Sequence, residues 1–288
     1  MAPPATAATV VDLLRQRAED DRPGLVVDDQ RWTWRAVVAE SEARARWFAE
    51  RRGSEPFHVG LLLENTPDYL FALFGAALAA APVIGINSTR RGTELARDIV
   101  HTDCSIVLAD ATSAPLVEGL DLGGASVHRV DDAGWRQAVP HADADARSEL
   151  GPDPAPEDPF VYLFTSGSTG APMAVRMSHG RAAGMGNACT WLSADDVLYS
   201  AMPLFHGNAL NAIVFPALAT GATIALRRRF SATAFLPDIR RYGATFFSTV
   251  GRVLAYVLAT PETPEDRDHR VAFALAPESS PTDIRAFR

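Results

Sequence analysis

Only two cysteines, Cys104 and Cys189, occur in the 288 residues. That excludes a disulfide framework and suits a reducing, cytoplasmic compartment. It also weighs against structural zinc: His101 and Cys104 form a lone H-x-x-C with no second pair nearby, and a plain helix end is the better reading. Basic excess is absent, with 27 Lys and Arg against 35 Asp and Glu, a net charge of -8. A general nucleic-acid binder would show a basic face instead. The short cluster Arg227, Arg228, Arg229 reads as a solvated strand end, with a polyanion site as the second reading. Long hydrophobic runs are absent too. "LFALFGAALAAAPVIGI" is interrupted by Pro82 and Gly85 and falls short of the roughly 20 residues a membrane span needs. It reads as a buried helix running into a buried strand. The N-terminal "MAPPATAATVVDLL" lacks a basic stretch followed by a long apolar core, so no signal peptide is expected. No fixed-period repeat is visible. Neither G-x-x-x-x-G-K-[ST] nor G-x-G-x-x-G appears, so the two commonest nucleotide signatures are missing.

What remains is an ordinary globular composition, 47% hydrophobic and 22% charged, with ample material for a core. "GLVVDDQRWTW" reads as two short strands around a turn at Asp28, Asp29 and Gln30. "RAVVAESEARARWFAERRG" follows as an amphipathic helix stopped by Gly53. Strand-like and helical runs then alternate: "FHVGLLL", a helix with Thr66 as N-cap and Pro67 at its first position, "APVIGI", "RGTELARDIVHT", "CSIVLA". The acidic, proline-rich "HADADARSELGPDPAPEDP" breaks this pattern and reads as a surface linker. It divides the chain into lobes of about 1–150 and 158–288, and alternation resumes after it. Such alternation predicts an α/β fold of mostly parallel sheets flanked by helices.

One run stands out, "FTSGSTGAPMAVRMSHG", Phe164 to Gly180, directly after the apolar "FVYLF". A loop rich in Ser, Thr and Gly after a buried strand offers hydroxyl and backbone N–H donors. Its glycines permit positive φ and close backbone approach to a ligand. Together these make an anion-binding concavity of the kind that holds phosphate. A polar turn is the other reading of the same composition.

The order "TSGSTGAP" resembles the phosphate loop of the adenylate-forming, AMP-binding acyl-CoA synthetase superfamily, in the style of bacterial fatty-acid–CoA ligases. The likeness extends along the chain. "GLVVDDQRWTW" is similar to that family's N-terminal hairpin, and "HVGLLLENTPDYLFALFGAALAAAPVIGINSTRRGTELARDI" to its region of an Asn-Thr-Pro turn, a helix and a strand. "AMPLFHGNALN" resembles its substrate-side motif, and "GATFFSTVGRVLAYVL" the strand and helix that follow. The resemblance implies a partial large N-terminal adenylation domain spanning 1–288. It implies ATP-dependent activation of a carboxylic, fatty acid as an acyl-adenylate, then thioester formation with coenzyme A. ATP, Mg²⁺ and coenzyme A are the implied cofactors. By position, Thr165, Ser166, Gly167, Ser168, Thr169 and Gly170 would hold phosphates. His206 would stand beside the substrate carboxylate, with a satisfied loop histidine as its alternative. Glu278 and Ser279 would lie along the adenine edge.

Three departures from the family pattern bear on activity. Met173 stands where a Lys is usual, and losing one charge-assisted phosphate contact costs about 1.5–3 kcal/mol. Ala276, Pro277 and Ser279 replace a glycine-rich stretch, and proline fixes φ and lacks an N–H. The sequence ends at Arg288, before the family's acidic Mg²⁺-assisting segment, its ribose-binding Asp and its C-terminal lid with a catalytic Lys. Turnover by these residues alone is therefore not expected. The rival readings are an acyl-AMP ligase serving a carrier protein and a non-catalytic remnant that binds nucleotide weakly.

Overall fold

The computed structural model describes residues 7–53, 56–139, 150–165 and 173–287, with Thr165 described in its main chain only. Among them are the strands β1 (Pro23–Val27), β2 (Gln30–Thr33), β3 (His58–Leu62), β4 (Val83–Gly85), β5 (Cys104–Ala109), β6 (Ser126–Arg129), β7 (Pro159–Thr165), β8 (Met173–Ser178), β9 (Val197–Ser200), β10 (Thr223–Leu226), β11 (Phe246–Ser248) and β12 (Phe273–Leu275). They form two six-stranded sheets, ordered β12-β11-β9-β10-β1-β2 and β6-β5-β3-β4-β7-β8. Each sheet is parallel except for one antiparallel edge strand, β2 in the first and β8 in the second. This is the flanked, mostly parallel α/β architecture that the alternating pattern predicts. The sheets do not divide the chain at the acidic stretch. The N-terminal hairpin β1–β2 joins β9 to β12, and β7–β8 joins β3 to β6.

Helices Val10–Arg17, Trp34–Arg51, Pro67–Leu78, His179–Asn187 and Phe215–Thr220 contribute to one continuous apolar cluster with strands of both sheets. The helices Trp34–Arg51 and Pro67–Leu78 touch closely at Gly75. A Cβ there would lie 2.7 Å from the Ser41 carbonyl oxygen and 2.9 Å from the Arg44 Cβ, so any larger residue would force the helices apart. Buried Arg44 crosses the same seam, bonding Glu40 at 2.5 Å and Asp68 at 2.9 Å. Its guanidinium also lies 5.0 Å from the Phe71 ring centroid.

Local details confirm some sequence signals and revise others. The β1–β2 turn is made by Asp28 and Asp29, with Asp28 at φ 53°. Thr66 does occupy the N-cap of Pro67–Leu78, with extended backbone, but its hydroxyl caps nothing and is buried without a partner. The reason is local: Pro67 has no N–H, and the Tyr69 N–H already donates to the Thr66 main-chain oxygen at 3.1 Å. Of the acidic stretch, residues 140–149 lie outside the described residues. The part that follows is anchored. Asp153 takes a two-pronged bond from Arg15, both at 2.6 Å, and the Pro156 and Asp158 carbonyls accept from Gly180 and His179.

The arginines 227–229 are not simply solvated. Arg227 bonds Asp238 at 2.6 Å, Arg228 reaches Glu64 at 2.5 Å and Asp110 at 3.3 Å, and Arg229 also pairs with Glu64. Glu64 and Asp110 follow strands of one sheet and the arginines follow β10 of the other, so the cluster is an ionic clasp between sheets. A cleft of about 340 Å³ lies among these groups, but its cations are already matched by carboxylates. That disfavours the polyanion reading.

Candidate active site

Among the described residues, His206, Glu278 and Ser279 follow the carboxyl ends of β9 and β12, the end at which open parallel sheets bind ligands. Thr165 closes β7, and Ser166, Gly167, Ser168, Thr169 and Gly170 lie outside the described residues. The chain re-enters at Met173, which pairs with Thr165 across the β7–β8 ladder and is 59% exposed. Position 173 is therefore the first described residue after the Ser/Thr/Gly run. An uncharged thioether stands there.

β9 leads through Ala201–Phe205 to His206. The bend is held by its own backbone, the His206 N–H donating to the Pro203 carbonyl at 3.0 Å. It is also held from the other sheet by Asn65, just past β3. The Asn65 carboxamide accepts from the Leu204 N–H at 2.9 Å and donates to the Met202 and Arg227 carbonyls at 2.9 and 3.1 Å. His206 is exposed on one side and packs on Phe205, with ring centroids 4.6 Å apart. Desolvation on its protein side lowers its pKa, which favours the neutral imidazole at neutral pH. A composite helix starts immediately after it: Gly207–Ala209 is α-helical, Leu210–Val214 is π-helical, and Phe215–Thr220 is α-helical again. Free N–H groups and the positive dipole end thus lie beside His206, where a carboxylate is favoured.

From this helix a hydrogen-bond path runs to the other predicted residues. Asn208 and Ser248 bond each other, at 2.9 Å from the carboxamide nitrogen and 3.1 Å to its oxygen. The Ser248 hydroxyl and the Thr249 N–H meet the Leu275 carbonyl at 3.3 and 2.9 Å. Leu275 ends β12 and opens the turn Ala276-Pro277-Glu278-Ser279, closed by the Ser279 N–H on the Ala276 carbonyl at 3.3 Å. Pro277 at the second position and Glu278 at φ 68° make this a type II turn. Pro277 occupies the one place where its missing N–H costs nothing, while Glu278 takes a conformation that glycine favours. The Ser279 hydroxyl donates to the Gly251 carbonyl at 3.4 Å, and the Glu278 carboxylate approaches Gly251. The structure thus links the loop of His206 to Glu278 and Ser279 through Asn208 and Ser248. The last two were not singled out from sequence. Their signal was slight, a polar residue at the second position of an apolar helix and another ending an apolar strand.

The AMP-binding enzyme family signature matches residues 14–288. The chain belongs to the AMP-binding enzyme family. Among family members, Steroid-22-oyl-CoA synthetase of Rhodococcus jostii is 48% identical over 286 residues, covering 97% of this chain and 51% of that protein. The medium/long-chain-fatty-acid–CoA ligase FadD17 of Mycobacterium marinum is 41% identical, covering 97% and 55%. The chain therefore spans about half the length of the curated relatives it matches. Among solved structures, the N-terminal domain of FACL13 from Mycobacterium tuberculosis superposes with a TM-score of 0.85 at 21% identity, covering 98% of this chain and 73% of that one. That match supports the fold of an AMP-binding N-terminal domain.

Proposed function

We propose that this chain supplies the acyl-facing and phosphate-facing walls of an ATP-dependent acid–CoA ligase. The observation that carries the reading is the family match over residues 14–288, joined to relatives named as CoA synthetases and ligases. The reaction is attack of a substrate carboxylate on the α-phosphorus of ATP, with pyrophosphate leaving. The coenzyme A thiol then takes the acyl group and AMP leaves. In this reading residues 165–170 cradle the phosphates and His206 borders the carboxylate. A neutral imidazole beside a helix N-terminus adds no fixed charge, so the carboxylate stays nucleophilic. The turn at Glu278 and Ser279 borders the adenine edge.

Among the described residues no group of three or more His, Cys, Asp or Glu is placed to hold a metal ion. When bound with the nucleotide, Mg²⁺ would supply neutralisation of phosphate charge. No described helix is long and apolar enough to cross a membrane, and we assign the activity to the cytoplasm, where ATP and coenzyme A occur. The acid is bulky and apolar, of the steroid side-chain or medium to long fatty class that the relatives' names carry.

The test is titration calorimetry of ATP with Mg²⁺, and separately of decanoate and a steroid side-chain acid, into the chain and its Gly167→Val variant. Acid-dependent exchange of labelled pyrophosphate into ATP is the chemical arm. The reading predicts heats for ATP and for at least one acid, with the ATP heat lost in Gly167→Val. It fails if neither ligand binds, or if the variant binds ATP as well as wild type does.

A further inference from the structure

Two buried polar atoms near His206 have no partner in the fold: the Asn211 carboxamide oxygen and the Tyr69 hydroxyl. A buried polar atom left unpaired is costly. Others occur in this fold, such as the Thr66 hydroxyl and the His179 Nδ1, but these two side chains lie beside Gly207 and Gly85 next to the His206 loop. The five asparagines differ in this respect. Asn65, Asn87, Asn187 and Asn208 each make hydrogen bonds within the protein, and among the described residues Asn211 is the one that makes none.

Its position is equally specific. Asn211 lies in the π-helical stretch Leu210–Val214, where the helix widens, a distortion common at functional sites. It shares a face with Gly207, one turn nearer His206. A Cβ on Gly207 would lie 3.5 Å from the Asn211 carboxamide nitrogen and 3.7 Å from the Leu163 Cδ1. The other Leu163 methyl faces Gly85, where a Cβ would lie 2.9 Å from it, 3.3 Å from the Phe205 Cα and 3.4 Å from the Tyr69 hydroxyl. Leu163 thus stands between two glycines, with an unpartnered polar group beyond each. Beside the polar pair Asn208 and Ser248, the neighbours along this helix are apolar: Leu210, Ile213 and Val214 are fully buried and Phe205 nearly so. Asn211 as a residue keeps partial solvent access, as do Gly207 and Asn208, although its carboxamide oxygen is itself covered; a ligand at His206 would meet this helix face first.

We infer that Asn211 is a specificity-determining residue that hydrogen-bonds a hydroxyl on the acyl chain of the acid, with the Tyr69 hydroxyl lending the same wall a second polar group. The inference rests on the acid-ligase reading above and deepens it: the preferred acid is hydroxylated, not a plain hydrocarbon chain. The buried end of Asn211 is an acceptor, so the group that satisfies it is a donor. A plain chain leaves it unpaired, and a site built to bond a hydroxyl discriminates against the analogue that lacks one.

The experiment is calorimetric titration of decanoate and its monohydroxylated derivatives into wild type, Asn211→Leu and Tyr69→Phe. In wild type at least one hydroxylated acid binds about tenfold tighter than decanoate. In Asn211→Leu that ratio falls to about one, and in Tyr69→Phe it falls partway. Should the Leu variant not fold, Asn211→Ala, which a helix accepts readily, reads the same ratio. The inference is overturned if no hydroxylated acid outbinds decanoate in wild type, or if the preference survives loss of the carboxamide. Equal binding of all the acids removes this inference and leaves the ligase reading standing, whereas no binding of any acid removes both.

Discussion

The side-chain oxygen of Asn65 accepts the main-chain N–H of Leu204 at 2.9 Å, although 139 residues separate them. One residue just past β3 thereby fixes the bend just past β9, and the two strands belong to different sheets. The same carboxamide donates to the Met202 carbonyl in that bend and to the Arg227 carbonyl just past β10, so its three bonds join the ends of three strands. Asn65 thus ties the segment that leads to His206 to the end of β3.

Replacing Asn65 by Ala removes these bonds and leaves the buried Leu204 N–H without an acceptor. The expected cost is about 3 kcal/mol in denaturant unfolding. Asn65→Asp keeps the acceptor but turns an anionic oxygen toward two carbonyls, so it is expected to be at least as damaging. An Asp variant as stable as wild type would show that the amide donors contribute nothing.

Glu278 sits at φ 68° in the type II turn that follows β12. A branched-free but bulky side chain is strained there, and glycine is not. Glu278→Gly is expected to raise stability by about 1 kcal/mol, read as a shift in the denaturation midpoint with unchanged slope. Loss of stability instead would show that the Glu278 carboxylate near Gly251 holds the turn together.

His179 is buried against Phe160, with ring centroids 5.0 Å apart, and its Nδ1 has no partner. Burial lowers its pKa from 6.5 to about 4, opposed weakly by Asp158. The unfolded chain therefore takes up this proton first. Stability is complete above the unfolded value and is lost as pH falls through the folded one. About 2 kcal/mol of loss is expected between about pH 6.5 and about pH 5, before exposed carboxylates titrate. In His179→Gln this arm of the stability–pH curve flattens. An unchanged slope would falsify the assignment to His179.

The strand and helix order was readable because each run carried its own period and its own stop. Ser178 and Ser231 mark helix starts, and the Asp28–Asp29 turn marks the first hairpin. What could not be read was which sheet each strand joins. The pairing of β1 with β10 is set by tertiary packing across roughly two hundred residues, and no local pattern encodes it. Similarly, His206, Glu278 and Ser279 were singled out through resemblance to a family. Asn65, Asn208, Ser248 and Asn211 stand out only through partners distant in sequence or through the lack of one. Arg227 to Arg229 looked like a solvated run because their carboxylates lie more than a hundred residues away for Arg228 and Arg229.

Met173 faces Thr165 across the ladder, is 59% exposed and is the first described residue after the Ser/Thr/Gly run. The sequence contains no lysine, so all 27 cationic side chains are arginines. Met173→Lys therefore introduces the single side-chain amine, beside the N-terminal one, where phosphate charge is proposed to sit. One charge-assisted contact corresponds to about a tenfold gain in ATP affinity at low ionic strength. The gain should shrink as salt rises, because the Debye length falls from about 30 Å at 0.01 M to about 8 Å at 0.15 M. Met173→Leu, which adds no charge, should show no gain. Bound ATP should also slow modification of the new amine by an amine-reactive reagent, and added salt should weaken that protection. If the Lys variant binds ATP no better than the Leu variant at low salt, position 173 does not face the phosphates. If it gains affinity that salt leaves untouched, repacking and not charge is the cause.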